Sequence, residues 1–416
     1  MQTIYTEEFN SKNDYFHVPD FEIAKGYYDY VTHRGIYVNQ EVAKEHIRIN
    51  NRMLDEMRQL LSNYGYAGLN PNSPLQVKSY FTSNYSEELL KKYFYVYNTR
   101  KRQMDYSFKS ELIEEFNRFA DDPVAEVIVR YSSTNRTVSS LSKLIELADN
   151  NSIVHPEHTY AITNRAYTNN PCVSGFDINT YKNLFTPDGY GIYELDYNQI
   201  EPRISAYVFD IKEFGIFCND SDFYSSVAKT VLGMQTVTTE QRDIIKACWN
   251  ASLYGASKAK IKQISKGVAG EKIYDLFAEN ATVKALWDEL SDETLKSVYT
   301  LFGTEIRDVD NSRYVNNKKV KVSWKIQGST SDVLTLAIED LSNALKKKGY
   351  GWNSLTGLFD KDIMIYYTAF DSIKFLYKKQ AFSETMIESL IEELRQEITY
   401  YVNGEVLLPM KITKFD

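Results

Sequence analysis

The clearest pattern along the chain is helical. Val42, Ile49, Met53, Met57, Leu60 and Leu61 recur at three- and four-residue spacing, which predicts one apolar helix face. Asn39 is placed to cap that helix, and Asn63-Tyr64-Gly65 to end it. The first ~30 residues before it carry no clear period. Asn70-Pro71-Asn72-Ser73-Pro74 is a turn-rich stretch leading to another short helix, and residues 84–150 read as mostly helical and richly charged. Pro156, Pro171 and Pro187 punctuate a looped region. At Gly191 the period changes. Gly191-Ile192-Tyr193-Glu194-Leu195-Asp196-Tyr197 alternates apolar and polar residues and reads as a strand, followed by a helix from Gln199 to Val208. Residues 220–300 are again mainly helical, and Ser329–Lys347 carries an apolar stripe through Val333, Leu334, Leu336, Ala337, Leu341 and Leu345. Asp362–Phe375 reads as strand, tight turn and strand, Ser383–Tyr400 as a helix, and Val406–Ile412 as a closing strand. Helices, then a strand, then helices, then strands predict an α+β chain with one segment inserted into another.

At 416 residues the chain has room for two or three domains. With 43% hydrophobic and 25% charged residues it is an ordinary globular composition, which excludes disorder, collagen and coiled coil as global classes. No apolar run approaches the ~18 residues of a membrane helix, and MQTIYTEEFNSK lacks the features of a signal peptide. Cys172, Cys218 and Cys248 have no metal-ligand spacing, so a reducing cytoplasm without membrane association is expected. The net charge of −8 speaks against nucleic acid as a partner, unless a basic groove sits on an acidic scaffold.

Three constellations carry chemistry. The first is Asp196-Tyr197-Asn198-Gln199-Ile200-Glu201-Pro202-Arg203. A carboxylate at a strand end is held rigidly enough to bind a hard cation such as Mg²⁺, although such an Asp equally serves to cap the next helix. The second is Arg242, Lys246, Asn250 and Tyr254, at every fourth position and followed by Gly255. On a helix this is one slowly winding stripe. Thr238 and Gln241 suit a capping box at its start. Paired cations one turn apart suit a polyphosphate, and equally a solvated basic face. The third is Thr368-Ala369-Phe370-Asp371-Ser372-Ile373, an Asp at a hairpin turn, where turn geometry alone also favours Asp. Together, two strand-end carboxylates and an intervening cation stripe are the parts of two-metal phosphoryl or nucleotidyl transfer. No GxxxxGK[ST] loop suggests an ordinary ATPase, and histidine is scarce at five.

These segments resemble the family A DNA polymerases, the bacterial DNA polymerase I class. Asp196 to Arg203 looks like motif A, Arg242-x3-Lys246-x7-Tyr254-Gly255 is similar to motif B, and Phe370-Asp371-Ser372 occupies the place of motif C, usually His-Asp-Glu. Arg34-Gly35-Ile36, Asn70 to Gln76, Thr163-Asn164-Arg165, Thr300-Leu301-Phe302-Gly303, Gln327 to Asp332 and Leu408 to Ile412 resemble further family segments in order, so the resemblance runs from roughly residue 30 to 416. It implies an α+β right-hand fold: an extension at 1–27, a thumb at 28–150, a mainly antiparallel palm at 151–212 and 326–416, and helical fingers at 213–325.

It also implies a DNA-directed DNA polymerase. Asp196 and Asp371, with the Tyr197 carbonyl, would hold two Mg²⁺ ions, for which Mn²⁺ substitutes. Arg242 and Lys246 would grip the triphosphate of an incoming dNTP, and Glu201 would reject a ribose 2′-hydroxyl. Gln199, Tyr224, Asn250 and Tyr254 would line the nucleotide site. Arg165, Gln327 and Tyr254 would meet the primer-template DNA near the primer terminus, and Arg136 the duplex backbone. The departures are Asn250 for the family's Phe or Tyr, Tyr224 for a His, Phe370 and Ser372 for His and Glu, Pro202 within the usual Glu-Leu-Arg, and Cys172 and Gly175 for polar residues of a minor-groove segment. The short stretch ahead of the thumb implies a chain without its own exonuclease domain, complemented by a separate exonuclease or processivity protein. The Asn/Lys/Tyr/Ile-rich composition suits a phage or mobile element. An accessory DNA-binding subunit of the same fold, with weak or no synthesis, is the alternative the departures raise. A single-subunit RNA polymerase is disfavoured by Glu201.

Overall fold

The computed structural model describes residues 9–10, 19–98, 103–177, 180–209, 217–218, 222–265, 267–268, 270–292, 295, 297–307, 318–350, 361–402, 405–406 and 408–415. Most of the expected N-terminal extension (1–8 and 11–18) and Leu407 of the expected closing strand lie outside the described residues. The chain divides into two compact units, one of residues 37–154 with 183–185, the other of the remainder.

In the smaller unit the helices Gln40–Asn63 and Pro123–Leu147 pack on one another. Asn39 caps the first, its side chain accepting from the Val42 amide at 3.2 Å. The buried face of this helix is not quite the stripe expected. Leu54, Met57 and Leu61 are buried, whereas Ile49, Met53 and Leu60 are exposed, because the apolar residues wrap around more of the helix than its neighbour covers. The Asn70–Pro74 turn is built to start a helix. The Asn70 side chain accepts from the Asn72 amide, Ser73 caps the Pro74–Asn84 helix, and Gln76 reaches back to the Asn70 amide. Residues 84–150 are less uniformly helical than expected. Strands Tyr95–Asn98 and Gln103–Tyr106 form a hairpin, since Tyr95, Val96 and Tyr97 favour extended backbone. The core of this unit is aromatic: Phe81, Phe94 and Phe116 are fully enclosed, and Phe81 meets Phe116 edge to face at 5.5 Å.

The larger unit is organised by a four-stranded antiparallel sheet in the order Ile363–Ala369, Ser372–Lys378, Tyr190–Tyr197, Met410–Phe415. The closing strand starts at Met410 rather than Val406, because Pro409 has no amide to donate to a ladder. Glu405–Val406 pairs instead with Tyr401–Val402. The looped region around the prolines holds a further hairpin, Glu157–Tyr160 with Ala166–Asn169. The stretch without a period contains the helix Phe21–Arg34, capped by Asp20 and ended by Gly35 at φ 80°. Its buried side chains are largely Tyr27, Tyr28 and Tyr30, whose polar tips hide the pattern from a hydropathy reading. The long helix runs from Lys318 to Lys347, eleven residues longer at its start than its apolar stripe suggested, since Lys319-Val320-Lys321-Val322 alternates like a strand. Helices Ile200–Val208, Phe223–Leu232, Thr239–Leu253 and Gly270–Glu279 complete the surroundings of the site.

Phe81→Ala should lower stability by about 3–5 kcal/mol, while Leu75→Ala on the same helix, 78% exposed, should change it by no more than ~0.5 kcal/mol. Urea unfolding of the two variants beside the parent chain measures both, and equal effects would remove the aromatic core from the account.

Candidate active site

The hairpin and the central strand bring the two distant aspartates together. Ala369 pairs with Ser372, leaving Phe370 and Asp371 as a two-residue turn. Phe370 takes φ 55°, a left-handed conformation that usually favours glycine, and its ring is 71% exposed. Ser372 lies directly across from Asp196 on the central strand, and the Tyr197 amide donates to the Asp371 carbonyl at 3.2 Å. The turn and the strand end are thereby fixed to one another.

Burial raises Asp196 to about 6, with Glu194 adding to the rise and Lys374 and Lys411 opposing it. Burial also raises Asp371 to about 6; Arg165 and Lys246 oppose this, while Glu201 and Asp196 add to it. Two carboxylates held back from ionising by burial and by like charge are a donor set that a divalent cation relieves. Among the described residues no group of three or more His, Cys, Asp or Glu is arranged for a metal. Two carboxylates suit Mg²⁺, which is usually held by one or two of them together with substrate phosphates. The Tyr197 ring is buried, with its hydroxyl on the Ile398 carbonyl at 2.9 Å, so only its backbone carbonyl could join such a set.

The Thr239–Leu253 helix starts with the capping box expected of Thr238 and Gln241. One face buries Ile245, Cys248, Trp249 and Leu253, and Trp249 meets Phe223 and Phe277 edge to face at 4.8 and 4.9 Å. Trp249 is thus a core residue and does not stand in for the ring absent at Asn250. The opposite stripe is polar. Arg242 forks onto Asp222, Nε to Oδ2 at 2.8 Å and Nη2 to Oδ1 at 3.0 Å, with its guanidinium 5.4 Å from the Tyr224 ring centre. Burial pushes Asp222 up, but the bonds from Arg242 and Ser225 outweigh it and hold Asp222 below the usual carboxylate range. Lys246, one turn on, is exposed, and its charge is felt at Asp371. The Tyr224 hydroxyl lies 3.5 Å from the Asn250 side-chain oxygen.

Glu201 joins the two parts. It pairs with Arg165 and accepts from the Tyr254 hydroxyl at 2.9 Å. Burial and Glu201 push Tyr254 far above its usual range, so its proton stays available for that bond. Gln327 hydrogen-bonds Tyr254 in turn, and Arg165 also donates to Thr330 at 2.8 Å. Arg165 is delivered by a tight turn in which Asn164 takes φ 60°, where the family's Thr-Gly-Arg has glycine; Asn tolerates this conformation best after glycine. Gln199 also has a positive φ, 50°, and its side chain accepts from the Phe223 amide at 3.0 Å, tying two helices together. The structure therefore brings Arg165, Asp196, Tyr197, Gln199, Glu201, Tyr224, Arg242, Lys246, Asn250, Tyr254, Gln327 and Asp371 into one unit. Arg136 lies in the other unit, exposed beside a cleft of about 310 Å³ that it lines with Asn72, Lys109 and Ser132.

The sequence reading missed Asp222, Glu194 and Lys374. Asp222 carried a signal, an Asp immediately before the apolar start of Phe223–Leu232. Lys374, a lysine within an otherwise apolar strand, carried another.

The model of DNA polymerase family A matches residues 39–407. The chain belongs to that family. Among curated relatives it is 24% identical over 278 residues to DNA polymerase I of Chloroflexus aurantiacus, covering 62% of this chain and 29% of that one. To DNA polymerase I of Streptococcus pneumoniae it is 30% identical over 184 residues, covering 41% of this chain and 21% of that one. To the Aquifex aeolicus protein of the same name it is 24% identical over 299 residues, covering 68% of this chain and 49% of that one. The chain thus spans less than half the length of these relatives. Its fold is that of a polymerase domain: the POL domain of Pol1 from M. smegmatis, in complex with DNA primer-template and dNTP, superposes with a TM-score of 0.73 at 17% identity, covering 94% of this chain and 68% of that one. The expected α+β class and family are thereby established. Among the described residues no helix is long and apolar enough to cross a membrane.

Asp332, on the long helix beyond Gln327, is buried and accepts from the Thr304 hydroxyl at 3.0 Å. Burial raises it from 3.8 to about 7, against the bonds from Thr300 and Thr304. A carboxyl raised in the folded chain keeps a proton that the unfolded chain releases, so its contribution to stability falls as pH rises from about 4 to about 7. Asp332→Asn should gain stability relative to the parent chain between pH 5 and pH 8, measured by urea unfolding at each pH. A constant difference would remove the titration.

Proposed function

We propose that this polymerase-family chain is a template-directed DNA polymerase that adds deoxynucleotides to a primer 3′-hydroxyl. The observation that carries the reading is the meeting of Asp196 and Asp371 at the end of one sheet, with the charge of Lys246 reaching Asp371. In this reading Asp196, Asp371 and the Tyr197 carbonyl hold two Mg²⁺ ions, with Mn²⁺ as a substitute. Such ions, when bound, favour the alkoxide form of the primer hydroxyl and neutralise the leaving pyrophosphate. Oxygen attacks the α-phosphate, the bond to the β-phosphate oxygen breaks, and the hydroxyl proton passes to solvent.

The side chains of the chain itself bind and orient. Lys246 and the outward edge of Arg242 take the triphosphate, while Asp222 and the Tyr224 ring hold the guanidinium in place. Asn250 offers an amide, fixed by Tyr224, where the family has a ring, and Gln199 keeps the neighbouring helices in register. Glu201, held by Arg165 and Tyr254, blocks a ribose 2′-hydroxyl. Arg165, Gln327 and Tyr254 meet the primer-template end, and Arg136 the duplex backbone. Three free thiols suit a reducing cytoplasm. The second reading, an accessory DNA-binding subunit with little synthesis, is favoured by Asn250, Phe370 and Ser372 in places where the family has reacting-centre contacts.

Primer extension with Mg²⁺ decides between them. The parent chain should extend a primer, and Asp196→Asn or Asp371→Asn should each lower the rate by at least about a hundredfold. Absent extension with intact duplex binding would select the accessory reading, and extension surviving both changes would reject the metal assignment. Separately, Glu201→Ala should raise ribonucleotide use relative to deoxynucleotide use, scored by parallel extensions; an unchanged ratio would end its role as a gate.

A further inference from the structure

Beside the paired aspartates the sheet holds a buried ion pair that the reaction as described does not use. Lys374 is 3% exposed, and its Nζ lies 2.8 Å from the Glu194 carboxylate and 2.8 Å from the Ser372 hydroxyl. The ammonium also sits 5.1 Å from the Tyr367 ring centre. Lys374 faces Glu194 across the two strands just as Ser372 faces Asp196. Side chains two apart on a strand share a face, so Glu194, Asp196, Ser372 and Lys374 form one block on one side of the sheet. On the strand to the other side, Thr413 and Lys411 face Glu194 and Asp196, and Lys411 is exposed.

An ion pair this enclosed is a poor source of stability. Taking two charges out of water is costly, and an apolar pair of equal volume commonly folds as well or better. Its neighbours on the same face, Ile192, Met364 and Leu376, show that apolar residues pack here readily. What the pair does have is proximity to Asp196 and a fixed geometry. Lys374 is held by an anion, a hydroxyl and a ring, and it holds Glu194 in turn.

We propose that Glu194 and Lys374 are positioning residues that set the local charge around Asp196 and thereby the affinity of the aspartate pair for a divalent cation. This rests on the reading of Asp196 and Asp371 as the cation site. Glu194 adds negative potential without ligating the ion, and Lys374 limits that potential and keeps the carboxylate in place. The two single changes therefore act in opposite directions, which a purely structural pair would not do.

The test is Mn²⁺ binding to the full chain without DNA, read by the loss of the free-ion electron paramagnetic resonance signal. Glu194→Gln leaves Lys374 uncompensated and should weaken Mn²⁺ binding roughly tenfold. Lys374→Met leaves Glu194 uncompensated and should tighten it by a similar factor, while the double variant should return close to the parent value. Lys374→Arg, which keeps the charge, should bind as the parent does. If Lys374→Met does not fold, Glu194→Gln and Lys374→Arg carry the test; equal affinities of Glu194→Gln and the parent chain overturn the proposal. Changes of the same sign in both single variants overturn it as well. Asp196→Asn serves as the reference. Should it leave Mn²⁺ binding untouched, the cation site itself is wrong; should it abolish binding while Glu194→Gln has no effect, only the role of the pair fails.

Discussion

The pairing of the central strand with the hairpin is the constraint on which the rest depends. Ser372 stands opposite Asp196, and the Tyr197 amide closes onto the Asp371 carbonyl. A slip of one residue would turn Asp196 to the other face of the sheet and carry Glu194 with it. The register is over-determined. Ile192, Leu195, Ile373, Phe375 and Leu376 are all enclosed, and the Glu194–Lys374 ion pair would be broken by any shift. The hydrophobic packing of this sheet thus fixes where its few charges meet.

The Thr239–Leu253 helix follows the same logic with a different period. Its buried face packs Trp249 among Phe217, Phe223 and Phe277, and this orients the polar stripe through Arg242, Lys246, Asn250 and Tyr254. Asp222 stands at the N-cap position of the neighbouring helix, and its carboxylate accepts from the Ser225 hydroxyl and from Arg242, so the start of that helix positions a cation. Tyr224 is buried beneath Arg242 and turned toward Asn250. The two positions at which the resemblance led us to expect a departure, 224 and 250, are therefore neighbours in space.

Much of this was legible in the sequence where a residue type and a period coincide. The alternation of Gly191–Tyr197, the four-residue stripe from Arg242 and the caps at Asn39 and Thr238 have local causes, and each leads to the element found. Elements built on buried tyrosine, such as Phe21–Arg34, escaped because tyrosine reads as polar or apolar according to its neighbours. The lysine-rich start of the long helix escaped because its local alternation imitates a strand. Asp222 with Arg242 and Glu194 with Lys374 are contacts across elements, and no spacing along the chain encodes them.

Glu201 begins one helix, and Tyr254 closes another. The bond between them, with Arg165 of a separate hairpin on the carboxylate and Gln327 of the long helix on the phenol, joins four elements through one pair of side chains. Such a junction works as a latch. The Thr239–Leu253 helix cannot swing about its far end without either dragging that carboxylate along or surrendering the phenol that restrains it. Helix posture and the position of the Glu201 carboxylate are, on this geometry, one mechanical variable.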